Sequence, residues 1–291
     1  MLRWLLLAIL PTLFVTIAPA ADPADRSTLP IEEETTDAKL TKIVLIPGTP
    51  NNKPGEHEYF AGCAILRQLL AQTPGVHPVL VEKDWPKKAS TLTGVKAIVF
   101  FSAGAGVQGS AKADHPVQVQ KLADAGVGIV HLHGVIDYPS DFGERVRGWA
   151  GAVWEPKYSL RGHWVPTFDK FPEHPVTQGV TPFTIDDGWL YKLRFVGGMK
   201  GITPLLRTNS PKTPAKLTIG NEDIVAWTYD RPEGGRSFSF TGGHIHANLS
   251  KEGYRRFITN GILWSAGVEI PKTGAKVDLT TTDLAKYLDK K

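Results

Sequence analysis

Apolar runs alternate with amphipathic segments through the first half of the chain. Four of these runs are continuous, which is typical of strands buried on both faces of a parallel sheet. They lie at residues 42–46, 79–81, 95–101 and 128–133. Between them, residues 58–72 and 114–125 carry apolar side chains at helical spacing. Strands that alternate with helices in this order predict an α/β fold with a doubly wound, mostly parallel sheet.

The pattern changes after residue 150, where shorter segments partly alternate apolar and polar residues. Such alternation favours antiparallel strands, which expose one face to water. It is found in residues 189–196, 203–207 and 224–229. A further strand at residues 236–241 precedes an amphipathic helix over residues 254–264. We expect one α/β domain over residues 42–270, with a β-rich insertion between residues 154 and 210.

The two ends of the chain differ from this domain in composition. A basic residue precedes an N-terminal hydrophobic run that is too short for a stable membrane span, and Ala18-Pro19-Ala20 fits a cleavage site. Residues 1–20 therefore predict a signal peptide and a secreted or periplasmic protein, with an uncleaved anchor as the alternative. Residues 21–41 predict a flexible leader and residues 271–291 a polar tail. No other segment is apolar enough to cross a bilayer, so we expect no stable span after cleavage.

Charge and cysteine content exclude several classes of protein. The 291 residues carry a net charge of +4 with scattered basic residues, which gives no support to nucleic-acid binding. Cys63 is the only cysteine, so the chain forms no internal disulfide. Because Cys63 lies within an apolar helical pattern, we expect a buried thiol rather than a nucleophile. These features do not determine the oligomeric state.

Histidines gather at the predicted carboxyl ends of strands, where open α/β sheets bind their ligands. One follows the first strand, two end the fourth strand, two follow the last strand if it is parallel, and one lies in an aromatic segment. They are His57, His131, His133, His244, His246 and His163. His131 and His133 are two residues apart, so we expect their side chains to share one side of their strand. Together the six predict a common pocket, although the simplest interpretation of any one of them is structural.

Paired imidazoles allow two kinds of chemistry. They transfer protons near neutral pH. With a carboxylate such as Glu58 or Glu155, they also suit Zn²⁺ or another metal that prefers nitrogen and oxygen ligands. The spacing does not choose between these functions, so the cofactor is unknown and a divalent metal is one alternative.

Two further patterns bear on a ligand site. Residues 104–109 match G-x-G-x-x-G, but the next helix begins only near residue 114 and the next strand ends in histidine rather than an acidic residue. They therefore predict a loop at the rim of a pocket and not a dinucleotide site. Tryptophan and tyrosine are frequent between residues 149 and 191, where core packing is the default interpretation and a sugar platform the alternative.

Several short motifs, in a fixed order, resemble the ThuA-like (trehalose-utilisation) family over about residues 42–267. They lie at residues 55–59, 128–134, 154–156, 163–164, 174–180, 187–195, 225–229 and 235–244. The resemblance implies a class I glutamine amidotransferase-like, flavodoxin-like fold. It also implies a carbohydrate substrate, in particular a 3-keto sugar from disaccharide breakdown.

Two positions depart from the patterns that the resemblance implies. In the amidotransferase-like fold, the strand that matches residues 128–133 leads into the turn that holds a nucleophilic cysteine. This chain has His133 there, so the resemblance does not extend to glutamine hydrolysis. Many relatives have an Asp-Glu pair where this chain has Asp187 and Gly188.

These features predict an exported ThuA-like protein that acts on a carbohydrate, such as a keto-disaccharide, by histidine-based acid/base chemistry. Proton abstraction beside the carbonyl group would make it a sugar isomerase or a lyase, and a hydrolase is a further option. The predicted catalytic residues are His133, His131 and Glu155. The predicted substrate-binding residues are His57, Glu58, His163, Trp164, His244 and Asp187. The alternatives are a non-catalytic carbohydrate-binding or accessory protein and a metal-dependent hydrolase.

Overall fold

Strands and helices alternate as the hydrophobic pattern predicts. A computed structural model describes residues 25–212 and 223–289, so the predicted signal peptide lies outside the described residues. The strands are β1 (Thr41–Pro47), β2 (Val76–Leu80), β3 (Ala97–Ser102), β4 (Gly128–His133), β5 (Ala152–Val153), β6 (Leu160–Trp164), β7 (Thr167–Phe168), β8 (Phe183–Thr184), β9 (Asp187–Tyr191), β10 (Arg194–Phe195), β11 (Ile202–Thr208), β12 (Asp223–Asp230) and β13 (Arg236–Phe240). The α-helices are α1 (Tyr59–Leu70), α2 (His115–Asp124), α3 (Gly143–Ala150), α4 (Glu252–Ser265) and α5 (Thr281–Leu284).

Seven strands of the described residues form the central sheet, in the order β11-β12-β13-β4-β3-β1-β2. Neighbours from β13 to β2 are parallel, whereas β12 pairs antiparallel with both β11 and β13. The sheet is therefore mostly parallel and flavodoxin-like, as predicted. Because β13 runs parallel to β4, the carboxyl ends of these two strands lie side by side.

Helices cover both faces of this sheet, and alternation along each strand divides the core into two layers. On β4, Val130 and Leu132 pack in the layer of α1 and α4, whereas Ile129 packs in the layer of α2 and α3. The three side chains are at most 2% exposed, and each such burial contributes about 1.5–3 kcal/mol. Since both faces are covered, a ligand can reach the parallel strands only at their ends.

The predicted β-rich insertion is present, and part of it lies beside the carboxyl ends of the parallel strands. β6 pairs antiparallel with β9, which places His163 opposite Gly188. The short strands β7 and β8 form a second antiparallel pair, and β5 and β10 form a third. The insertion ends before Ile202 rather than at residue 210, because β11 pairs along β12 and extends the central sheet.

Both predicted terminal segments contact the domain. In the leader, Glu32 is 2% exposed and accepts hydrogen bonds from the backbone N–H groups of Lys87 and Lys88. Arg26 donates to the carboxylate of Asp289 in the tail, which also forms α5. Glu32 therefore anchors the leader to the domain, and Arg26 joins the leader to the tail. No helix of the described residues is long and apolar enough to span a membrane.

Candidate functional site

The central strand β4 ends in a strained turn at His133. Its φ of 64° and ψ of −130° lie in a region that residues other than glycine rarely adopt, and such strain collects at functional sites. Regular alternation would place its ring on the face of His131, which packs against Phe100 and Tyr138. The positive φ instead turns the His133 ring to the other face, toward Tyr59 of α1. The expectation that the two histidines share one side is therefore wrong.

Three histidines from three connections meet at the carboxyl edge of the sheet. His57 follows β1, His133 ends β4 and His244 follows β13. The Nε2 atom of His57 lies 2.9 Å from His133 Nε2 and 2.8 Å from His244 Nδ1. One ring nitrogen from each residue lies within 4.8 Å of the other two. We call these residues the histidine cluster, and their spacing and donor type suit one metal ion.

Each ring of the histidine cluster faces an oxygen atom with its outer nitrogen. The pairs are His57 Nδ1 with Asn51 Oδ1 at 2.5 Å, His133 Nδ1 with the Thr241 carbonyl at 3.3 Å, and His244 Nε2 with Glu56 Oε2 at 3.4 Å. These contacts orient the three rings toward one another. The carboxylate in these three pairs is that of Glu56.

Burial favours the neutral form of two rings in the histidine cluster. It lowers the pKa of His133 well below the ordinary value, and the nearby His57 and His244 rings lower it further. Burial also lowers the pKa of His244, an effect that the carboxylate of Glu56 partly opposes. Both rings are therefore neutral at pH 7.

Asp187 supports the loop that carries His244. Its carboxylate is fully buried and accepts hydrogen bonds from the backbone N–H groups of Gly243 at 2.8 Å and His244 at 2.7 Å. It also accepts one from the side-chain amide of Asn248 at 3.2 Å. Burial raises the pKa of Asp187 to about 6, while the backbone donors lower it. Asp187 thus positions His244 from the interior and has no exposed surface for the predicted contact with substrate.

An open cleft of about 600 Å³ adjoins the histidine cluster, within the range of roughly 300–1,000 Å³ found for small-molecule sites. Besides the histidine cluster, it is lined by Asn51, Gly104, Ala105, Val107, Arg161, His163, Gly188 and Trp189, among others. The loop at residues 104–109 thus borders the cleft, as predicted. The Nε2 atom of His163 lies 2.8 Å from a carboxylate oxygen of Asp186, and these side chains are 46% and 62% exposed.

Two of the predicted catalytic residues lie away from this cleft. His131 is 1% exposed, and burial together with the charge of Arg231 lowers its pKa to about 3. Glu155 instead forms ion pairs with Arg147 and Arg194. The structure therefore supports a catalytic role for neither residue, because one is enclosed in the core and the other is held by two arginines.

Two of the predicted substrate-binding residues also serve other contacts. Glu58 is 3% exposed, and its carboxylate accepts hydrogen bonds from the backbone N–H groups of Gly55 at 3.0 Å and Asp289 at 2.8 Å. Trp164 is 7% exposed and packs against Trp189, with ring centroids 5.8 Å apart. Of the predicted site residues, the structure brings together His57, His133, His163 and His244 at the cleft.

Three partners of this site were not predicted from the sequence. Asn51 lies in a polar loop, and Thr241 contributes only its backbone carbonyl. Arg161 pairs with the buried carboxylate of Asp137 and lies over the ring of Trp154, 4.7 Å from the centroid. None of the three belongs to a motif with a chemical function, so only the tertiary contacts reveal them.

The fold and the site define a class of α/β proteins with a flavodoxin-like sheet, a histidine in the turn after a central strand, and a cleft at the carboxyl edge. A family model described as ThuA, trehalose utilisation, matches residues 44–265. The chain belongs to the ThuA family.

Two solved structures are similar to this chain. A ThuA-like protein from Parabacteroides merdae ATCC 43184 has a TM-score of 0.56 and 17% identity, over 84% of this chain and 99% of that chain. A ThuA-like protein from Bacteroides uniformis ATCC 8492 has a TM-score of 0.57 and 13% identity, over 80% of this chain and 94% of that chain. At these identities the similarity shows the fold alone. No curated protein matches this chain.

Proposed function

We propose that this chain is an enzyme that acts on a carbohydrate with a carbonyl group, by proton transfer in the cleft beside the histidine cluster. The observation that carries the proposal is that His163, exposed and paired with Asp186, lines the same cleft as the histidine cluster. The ring centroids of His163 and His244 are 5.6 Å apart. The trehalose-utilisation description of the family supports a carbohydrate substrate.

His163 is the better-placed base in this cleft. Its Nε2 atom is held by Asp186, so its Nδ1 atom can accept a proton from the substrate. The predicted base His133 is 6% exposed, and its lowered pKa makes it a poor proton acceptor. We therefore assign proton transfer to His163, and we place the carbonyl oxygen of the sugar against the histidine cluster.

The reaction begins when His163 removes a proton from the carbon beside the carbonyl group. The electron pair of the broken C–H bond forms a carbon–carbon double bond, and the carbonyl electrons move to oxygen. Return of the proton to the former carbonyl carbon, together with transfer of the hydroxyl proton on the neighbouring carbon to the former carbonyl oxygen, moves the carbonyl group to that neighbouring carbon and isomerises the sugar. Alternatively, the electron pair expels the glycosidic oxygen from the carbon bonded to the deprotonated carbon. The glycosidic partner then takes the proton from His163 and leaves as an alcohol.

Deuterium exchange tests proton abstraction directly. The protein is incubated in D₂O with oxidised and unoxidised mono- and disaccharides, and NMR and mass spectrometry detect exchange and products. We expect exchange or conversion of a keto sugar, and a decrease of about 100-fold or more in His163→Asn. His77→Asn, which replaces a histidine at the other end of the parallel strands, is the control and should behave as the wild type.

Two outcomes oppose the proposal. Calorimetric binding of sugars without exchange or conversion across the panel contradicts an enzyme and supports the non-catalytic carbohydrate-binding alternative. Wild-type turnover in His163→Asn contradicts the assignment of the base.

We further propose that the protein is exported, on the pattern of its N-terminus alone. N-terminal sequencing of the mature protein is expected to begin at Ala21. Recovery of the full chain from Met1 in the membrane fraction would instead support the anchor.

A further inference from the structure

We propose that the histidine cluster binds one divalent transition-metal ion, with His57, His133 and His244 as its protein ligands. The tautomers of the three rings, the separations between their nitrogens and the open cleft beside them carry this inference. The catalytic use of the ion rests on the proposed function above, whereas its binding does not.

The outer contacts decide which nitrogen of each neutral ring carries its proton. The amide oxygen of Asn51, the carbonyl of Thr241 and the carboxylate of Glu56 accept hydrogen bonds. Each therefore favours the tautomer with its N–H on the outer side, which leaves a lone pair on each inner nitrogen. Histidines that bind metals show this same arrangement, with the other ring N–H donated to an oxygen.

The inner nitrogens are too close to face one another with lone pairs alone. His57 Nε2 is 2.9 Å from one neighbour and 2.8 Å from the other, which is hydrogen-bond distance, yet these tautomers supply no proton. A divalent cation instead accepts all three lone pairs at once.

Small movements bring the histidine cluster to metal geometry. Zinc–nitrogen bonds of 2.0–2.1 Å in a tetrahedral site place the ligand nitrogens about 3.3 Å apart. Two separations here are 2.8 and 2.9 Å and the third is at most 4.8 Å, so ring rotations can centre an ion between the nitrogens. Three protein ligands at an open cleft leave a fourth position for water or substrate, as in catalytic zinc sites.

The ligand set also restricts the choice of metal. Three neutral imidazoles favour Zn²⁺, Co²⁺, Ni²⁺ or Cu²⁺ over Mg²⁺ and Ca²⁺, which prefer oxygen ligands. If bound there, such an ion would place positive charge beside the carbonyl oxygen of the sugar, where negative charge develops in the proposed reaction.

Metal binding is tested on tag-free protein that has been stripped with a chelator, without any sugar. We expect one Zn²⁺ per chain by calorimetry and elemental analysis, and a Co²⁺ derivative with the visible absorption of a low-coordinate nitrogen site. His133→Asn keeps a residue type that tolerates positive φ and should weaken Zn²⁺ affinity about 100-fold or more. His163→Asn, in the same cleft but outside the ligand set, is the matched control and should keep wild-type affinity.

A second pair of variants changes an outer contact and leaves every ligand in place. Asn51→Leu removes the acceptor of the His57 N–H group and should weaken Zn²⁺ affinity by about 10–100-fold. Asn51→Asp retains an acceptor and should restore binding. Equal affinity in these two variants contradicts the tautomer argument.

Absence of Zn²⁺ and Co²⁺ binding to the folded wild type overturns the proposal, as does equal affinity in the wild type and His133→Asn. Circular dichroism and thermal unfolding show whether each variant is folded. Because no sugar is present, failure to bind metal leaves the carbohydrate proposal to its own test. Conversely, failure of the sugar screen does not change the expected metal stoichiometry.

Discussion

Replacing His131 with leucine isolates the cost of keeping a neutral histidine in the core. The ring is 1% exposed, and its Nδ1 atom has no hydrogen-bond partner among the described residues. Burial, and then the charge of Arg231, lower its pKa from 6.5 to about 3. His131→Leu removes the titrating group. The hydroxyl of Tyr138 keeps a hydrogen bond in this variant, because it lies 2.6 Å from Ser110 Oγ.

The sign of the pH effect follows from proton binding in the two states. The unfolded chain protonates this ring below about pH 6.5, whereas the folded protein keeps it neutral until about pH 3. The stability that depends on the neutral ring is therefore complete above pH 6.5 and is lost as the pH falls toward 3. At pH 5, protonation of the unfolded state lowers the free energy of unfolding by about 2 kcal/mol through this residue.

Urea unfolding of the wild type and His131→Leu at pH 8 and pH 5 measures this effect. We expect the two free energies of unfolding to agree within about 1.5 kcal/mol at pH 8, since the volume change is small. Relative to the wild type, the variant should gain about 2 kcal/mol at pH 5. The other histidines are common to both proteins and cancel in the difference. Parallel pH profiles for the two proteins refute the reasoning, and His77→Gln should follow the wild type.

Three further substitutions test the surroundings of the cleft. In Asp187→Asn, the buried N–H donors face an amide group in place of a carboxylate. We therefore expect the free energy of unfolding, measured with urea at pH 7, to fall by about 2 kcal/mol. An unchanged midpoint of urea unfolding would contradict the anchoring role of Asp187. Gly188→Ala places a methyl group 3.1 Å from the side chain of His244, so kcat/KM on the sugar found by screening should fall while the thermal midpoint stays nearly constant. Wild-type kcat/KM in that variant would show that the His244 position is not critical. Glu155→Gln weakens a partly exposed ion pair with Arg147 that is worth less than about 1 kcal/mol, and turnover should persist. Loss of turnover would return Glu155 to the catalytic residues.

The helices and strands were predictable because the spacing of buried side chains in each element depends only on residues near one another in the sequence. The run at residues 128–133 is the strand β4 without change, and the helix predicted at residues 254–264 is observed as Glu252–Ser265. The end of the insertion was misplaced because pairing with β12, and not the pattern of β11 itself, decides which sheet β11 joins.

The candidate site was predictable only in part. The positions of His57, His133 and His244 after strands indicated one edge, but their meeting required β13 to run parallel to β4. A single backbone torsion, the φ of 64° at His133, separates its ring from that of His131. Periodicity assumes regular strand geometry and therefore could not distinguish the two.

The order of elements, their buried faces and the edge where the histidines emerge are encoded along the chain, since each depends on the spacing of nearby apolar residues. The histidine cluster depends on contacts between distant residues, as His57 and His244 are 187 positions apart. Tertiary contacts also decide the roles of Glu58 and Glu155. Both suited the site by residue type and position, but other partners hold them. Residue type limits what a side chain can do, and the packing of remote segments selects which atoms it reaches.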